Sequence, residues 1–145
     1  MNNMCYYPHA MKDFSDYFKG KRITVMGLGL LGRGVGDVAY LAECGAELTV
    51  TDKKTAEALA DSLSKLAEYT NITYILGEHR LEDFEGRDMI LVAAGVPMDS
   101  PYLVHAREHN VTLVQSAALF AQLSGIPIIG VTGTRGKSTT THMIH

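Results

Sequence analysis

Two stretches of this 145-residue sequence place glycines where a backbone could grip phosphate. The first is Gly27-Leu-Gly29-Leu-Leu-Gly32, lying between a β-type run and a helix-type run. As a nucleotide loop, Gly27 permits the tight turn and Gly29 lets the backbone approach a phosphate. Gly32 lets the following helix pack on its strand. The helix start then offers free N–H groups and the positive end of its dipole to a diphosphate. Asp52 ends the next β-type run, 20 residues after Gly32, where such folds place a carboxylate that accepts hydrogen bonds from a nucleoside. The alternative is a tight turn that serves helix–sheet packing alone. It accounts for Gly27 and Gly32 but leaves Gly29 unexplained.

The second stretch is Gly130-Val-Thr-Gly133-Thr-Arg-Gly136-Lys137-Ser138-Thr-Thr, again after an apolar β-type run and before a helix-like start. A glycine turn followed by Gly-Lys-Ser supplies a ring of backbone N–H groups, a lysine for β- and γ-phosphates and a hydroxyl for Mg²⁺. The spacing departs from the general phosphate-loop pattern, which would put its first glycine at Val131 rather than Gly130. A Thr-rich polar turn is the competing reading. It fits Gly-Lys-Ser directly after an apolar strand poorly.

These loops need elements to hold them, and the chain alternates accordingly. Strands are predicted at Arg22–Met26, Glu47–Thr51, Ile72–Leu76, Met89–Ala94, Val111–Gln115 and Ile126–Val131. Helices are predicted at Met11–Phe18, Val35–Cys44 (stopped by Gly45), Thr55–Tyr69 (capped by Thr55), Ser100–His109 and Ser116–Leu123. In the fourth helix Ser100 is the expected cap and Pro101 the first residue. The fourth strand is apolar throughout, as befits a parallel strand covered on both faces. The alternation predicts an α/β fold, a Rossmann-like doubly wound parallel sheet with strand order 3-2-1-4-5.

Composition narrows the class. Hydrophobic residues are 46% and charged residues 20%, and the formal net charge is −3. The balance argues against broad nucleic-acid binding. Cys5 and Cys44 are a poor disulfide framework, no apolar run is long enough to span a membrane, and the first residues lack a signal-peptide pattern. A cytoplasmic protein is expected. His9, His105, His109, His142 and His145 show no metal-ligand spacing with acids or cysteines, and His79 reads as a loop histidine or a fold-specific one.

Thr-Gly-Thr-x-Gly-Lys-Ser-Thr after Ile-Ile-Gly-Val resembles the ATP loop of the Mur ligases, ATP-dependent amide-forming enzymes of peptidoglycan synthesis. Val-Met-Gly-Leu-Gly-Leu-Leu-Gly, Gly77-Glu-His79, the Ala94-Gly95-Val-Pro97 turn and Ser116-Ala-Ala-Leu-Phe120 resemble the family's D-glutamate-adding members. The resemblance divides the chain into an N-terminal extension (1–20), a UDP-substrate-binding domain (21–124) and the start of an ATP-binding central domain (125–145). Another Mur ligase, adding a different amino acid, and a stand-alone NAD(P)-binding module are the alternatives. The second loop counts against the latter.

The resemblance implies ATP and Mg²⁺ as cofactors, and UDP-N-acetylmuramoyl-L-alanine and D-glutamate as substrates joined through an acyl phosphate. The diphosphate would meet Gly29, Leu30, Leu31 and Gly32. Asp52, helped by Lys53 and Lys54, would bind the uracil or its ribose side, and Gly95 would face the nucleotide. Leu31 stands where the family often has Ser or Thr, so backbone donors must suffice there. Gly133, Thr134, Arg135, Gly136, Lys137, Ser138 and Thr139 would surround the ATP phosphates, with Lys137 offsetting charge on the transferred group and Ser138 reaching Mg²⁺. The 145 residues alone are expected to lack ligase activity. The strand at 126–131, short of partners, is expected to pair with a second chain or to fold back onto an edge of its own sheet.

Overall fold

The first strand sets the frame. In β1 (Arg22–Met26) Ile23 and Val25 point to one face while Thr24 and Met26 point to the other, and all four are buried. Such a strand is stable only if both faces of its sheet are covered. The computed structural model describes residues 14–29 and 33–144, and in it β1 lies at the centre of a parallel sheet. Its companions are β2 (Glu47–Asp52), β3 (Ile72–Leu76), β4 (Met89–Val92) and β5 (Thr112–Val114). The order is β3-β2-β1-β4-β5, as the alternation predicted.

Two apolar layers sandwich the sheet. One holds Ile23, Val25, Leu48, Val50, Met89 and Leu91 against Val38 and Leu41 of α2 (Arg33–Glu43) and against Phe18 of α1 (Ser15–Phe18). The other holds Met26, Ile90 and Val92 against Phe84, Leu103 and Ala106. These come from a 3₁₀ turn (Leu81–Phe84) and α4 (Pro101–Glu108). Each large side chain so buried contributes roughly 1.5–3 kcal/mol. The helix α2 ends as predicted at Gly45. Ala46 N–H donates to the Leu41 carbonyl and Gly45 N–H to that of Ala42, closing a Schellman motif.

Several expectations need correction. Thr55–Tyr69 is not one helix: α3 spans only Ala60–Ser64, flanked by turns, and Leu59 rather than Thr55 precedes it. Asp61, Ser62 and Ser64 are weak helix formers whose side chains compete for backbone bonds, and the Ser64 hydroxyl donates to the Asp61 carbonyl. Ser100 precedes α4 but makes no side-chain cap bond; Pro101 does occupy the first turn. The 3₁₀ turn was not anticipated. Of the predicted Met11–Phe18 helix, Ser15–Phe18 is observed and residues 11–13 lie outside the described part.

The largest correction concerns the sixth strand. After α5 (Ser116–Leu123) the segment 126–131 joins no sheet among the described residues and does not fold back onto an edge. Ile129 is 74% exposed. A strand exists only through its ladder, and of the sheet's two edges β5 offers only three residues; Pro127 further lacks the N–H a ladder requires. The polar loop beyond leads into α6 (Lys137–Ile144). A second-domain sheet is therefore not part of the described fold.

Candidate nucleotide-binding site

In an open parallel sheet a ligand crevice opens at the strands' carboxyl ends, where chain order reverses. Here the reversal falls between β1 and β4. Gly27 leaves β1 and donates its N–H to the Thr51 carbonyl at 2.8 Å; Ala93 leaves β4 and donates to the Met26 carbonyl at 3.0 Å. A Cβ on Gly27 would lie 3.1 Å from the Ala93 Cβ, so the two exits pack directly against each other. Gly95 lies exposed in the turn Ala93–Val96, closed by Val96 N–H to the Ala93 carbonyl at 3.0 Å.

The glycine loop is held by Asp52. Its buried carboxylate accepts three backbone N–H groups: Leu28 at 2.9 Å and Gly29 at 3.3 Å on Oδ2, and Lys54 at 3.0 Å on Oδ1. Gly29 takes the left-handed φ of +70°, with open space where a side chain would sit. An ionised carboxylate has about four lone-pair sites; the glycine loop uses two and Lys54 a third, leaving one, on Oδ1. Leu30, Leu31 and Gly32 lie outside the described residues. The close helix–loop approach predicted at Gly32 is seen at Gly34, where a Cβ would stand 2.3 Å from the Leu28 carbonyl oxygen. The constraint on Gly34 comes from this contact rather than from motif spacing, so the sequence carries no signal for it.

Beside Asp52 the Thr51 hydroxyl donates to the Glu78 carbonyl at 3.2 Å and lies 2.7 Å from His79 Nδ1. With its proton so committed, the hydroxyl accepts from Nδ1–H, an assignment that follows from the network. His79 is also edge-on to Tyr102 and Phe84. Burial, assisted by the Lys53 ammonium, pulls its pKa below the ordinary histidine value, against the opposing carboxylates of Asp52 and Asp83. His79 is thus a fixture of the fold. Lys53 is exposed and Lys54 half-buried, the latter passing its carbonyl to Gly77 N–H at 2.9 Å.

The second loop stands apart. Gly133 and Gly136 have positive φ, and Lys137 opens α6 with its Nζ folded onto the Gly133 carbonyl at 2.5 Å. Arg135, Ser138 and Thr139 are exposed beside it, as are Gly133, Thr134 and Gly136. A lysine bent back over a glycine turn at a helix start fits a phosphate chain, which would take the carbonyl's place on the ammonium.

A parallel five-stranded sheet with a carboxylate-tethered glycine loop at its switch point defines a Rossmann-like α/β class of domain. Residues 21–115 match the family described as Mur ligase MurD-like, N-terminal domain, and the chain belongs to that family. It is 41% identical over 125 residues to the UDP-N-acetylmuramoylalanine–D-glutamate ligase of Treponema pallidum, covering 84% of this chain and 23% of that protein. The ligase of the same name from Roseiflexus sp. is 43% identical over 125 residues, covering 86% and 27%. The chain therefore spans about a quarter of the length of these curated relatives. Among solved structures, a pseudomurein peptide ligase type C from Methanothermus fervidus aligns with TM-score 0.54 and 26% identity, over 86% of this chain and 25% of that one. No helix among the described residues is long and apolar enough to cross a membrane.

Proposed function

We propose that this chain is the substrate-holding N-terminal part of an ATP-dependent ligase that joins D-glutamate to UDP-N-acetylmuramoyl-L-alanine. The observation carrying this reading is the Asp52-tethered loop in a chain whose family and relatives bear that ligase name. The diphosphate lies against backbone at Gly29–Gly32, with Gly95 across the crevice. Asp52 offers its one remaining lone-pair site on Oδ1 to the base or its ribose. A single acceptor site suits one N–H donor, as on uracil, better than the paired hydroxyls of a ribose diol. Lys53 and Lys54 add positive charge beside it.

In the second loop Gly133, Thr134, Arg135, Gly136, Lys137, Ser138 and Thr139 contact ATP, with Lys137 against the phosphates and Ser138 toward Mg²⁺. The metal and lysine supply charge stabilisation for phosphoryl transfer, which is mostly positioning. The domain boundaries at 20/21 and 124/125 and a cytoplasmic location belong to the same reading.

Calorimetry on the 145-residue chain tests the first part. UDP-N-acetylmuramoyl-L-alanine is expected to bind and NAD⁺ is not, and Asp52→Asn should weaken the UDP ligand. Preferential binding of NAD⁺ would overturn the assignment.

A further inference from the structure

We propose that Glu85, His105 and His109 form a site for a borderline transition-metal dication, with Zn²⁺ its natural probe. His105 lies in the last turn of α4 and His109 just beyond it, four residues on, so both imidazoles stand on one helix face. Glu85 comes from the residue that ends the 3₁₀ turn. One ligand atom from each lies within 4.8 Å of the other two. Sequence spacing pairs the two histidines but hides the carboxylate, which arrives from 20 residues upstream.

The chemistry of the three atoms fits such an ion. His105 Nε2 meets Glu85 Oε1 at 2.6 Å, and the two imidazole rings stand 4.2 Å apart. His109 Nδ1 lies 2.8 Å from the His105 carbonyl, a pure acceptor, so Nδ1 donates and Nε2 keeps its lone pair for a metal. A metal-ligating histidine is commonly oriented by this very bond from its other nitrogen. Two imidazole nitrogens and one carboxylate oxygen are a Zn²⁺ donor set, with a fourth position left for water. Ligand atoms around a tetrahedral ion at about 2.0–2.1 Å stand roughly 3.3 Å apart, so modest side-chain rotations close the set. The last carbonyls of α4 add negative potential at the same end. On binding, His105 changes tautomer: the proton it holds at Nε2 toward Glu85 is replaced by one at Nδ1, the imidazole stays neutral, and the ion takes Nε2 and the carboxylate oxygen.

The site's place in the fold defines its role. Helices of a parallel sheet run against their strands, so the C-terminal end of α4 lies at the edge opposite the glycine loop. The ion would pin the 3₁₀ turn to α4, a clamp on the second apolar layer that is independent of nucleotide binding. Mg²⁺, which prefers an all-oxygen shell, should not substitute.

The test uses the untagged 145-residue chain, stripped with chelator, with Zn²⁺ as titrant and Mg²⁺ as comparison. One Zn²⁺ per chain is expected. Thermal unfolding should rise by roughly 5–10 °C when free Zn²⁺ is a hundredfold above its dissociation constant. His105→Ala, His109→Ala and Glu85→Gln should each weaken binding about tenfold or more, since even outer-shell losses cost that much. His142→Ala should leave it unchanged, and circular dichroism in chelator checks that each variant folds. Absence of stoichiometric binding, or binding that survives His109→Ala undiminished, would overturn the proposal. Neither result bears on the UDP ligand.

Discussion

Replacing Asp52 by asparagine asks how much of the glycine loop one carboxylate holds. The wild-type oxygens accept from Leu28 at 2.9 Å, Gly29 at 3.3 Å and Lys54 at 3.0 Å. Asparagine keeps the shape but only one oxygen. With that oxygen toward Leu28 and Gly29, its NH₂ faces the Lys54 N–H, donor against donor. Turned the other way it opposes two donors, so the first orientation is the cheaper. Charged hydrogen bonds are worth about 1.5–3 kcal/mol and neutral ones about 0.5–1.5, so weakening the Leu28 bond and losing the Lys54 bond sums to about 2.5–4.5 kcal/mol. The assay is urea unfolding followed by circular dichroism, paired with amide exchange. The midpoint should fall with an unchanged m-value, and the Leu28 and Lys54 amides should exchange faster than global destabilisation requires. Asp52→Ala should cost more, because it leaves the N–H of fully buried Leu28 without its acceptor. Stability within about 0.5 kcal/mol of wild type, with Leu28 exchange unchanged, would refute the tether.

Two glycines in one helix should respond oppositely to alanine. Gly34→Ala drives a Cβ to 2.3 Å from a backbone oxygen and should destabilise the chain by roughly 1–3 kcal/mol, whereas Gly36→Ala enters open space and should stabilise it by about 0.5–1 kcal/mol; urea midpoints decide. His79 should make stability depend on pH. Its folded pKa lies below the ordinary value, so the unfolded chain binds the extra proton. Its contribution is full above about pH 6.5 and is lost as pH falls below that. His79→Gln should flatten the fall in urea midpoint between about pH 7 and 5.5, and an NMR titration should place the His79 midpoint below that of a free histidine. The 145 residues assayed alone should release no phosphate from ATP in response to UDP-N-acetylmuramoyl-L-alanine and D-glutamate beyond a Lys137→Ala control. Substrate-dependent release above the control contradicts this.

What the sequence made legible follows from range. Strand order needed only the alternation of β1 through β5 and the handedness of crossovers, both local or generic, and it emerged intact. The Gly45 stop was legible because one residue type satisfies a nearby backbone requirement. Ile126–Val131 failed for a converse reason. Its composition is that of a strand, but pairing belongs to two segments at once, and it pairs with no strand among the described residues. At Thr55–Tyr69 the apolar period is that of a long helix, but the serines and aspartate compete for its backbone and only Ala60–Ser64 is helical.

The candidate sites divide along the same line. Asp52 was found from its place after a strand, and the expected duty was toward a ligand. Two of its four lone-pair sites in fact hold the loop, through Leu28 and Gly29, and a third takes the N–H of Lys54. That could not be read from spacing, because it depends on how β2 lies beside β1 in register, with Thr51 opposite Met26. The register brings the end of β2 under the first turn of the loop, where unpaired N–H groups need an acceptor. An aspartate at this point thus has a structural role even with no nucleotide present, and its presence alone cannot distinguish one nucleotide from another. The discriminating quantity is the acceptor capacity left over. A ligand that presents one donor to Oδ1 leaves the tether intact, while a ligand that demands both oxygens must first strip the loop of the bonds that shape it.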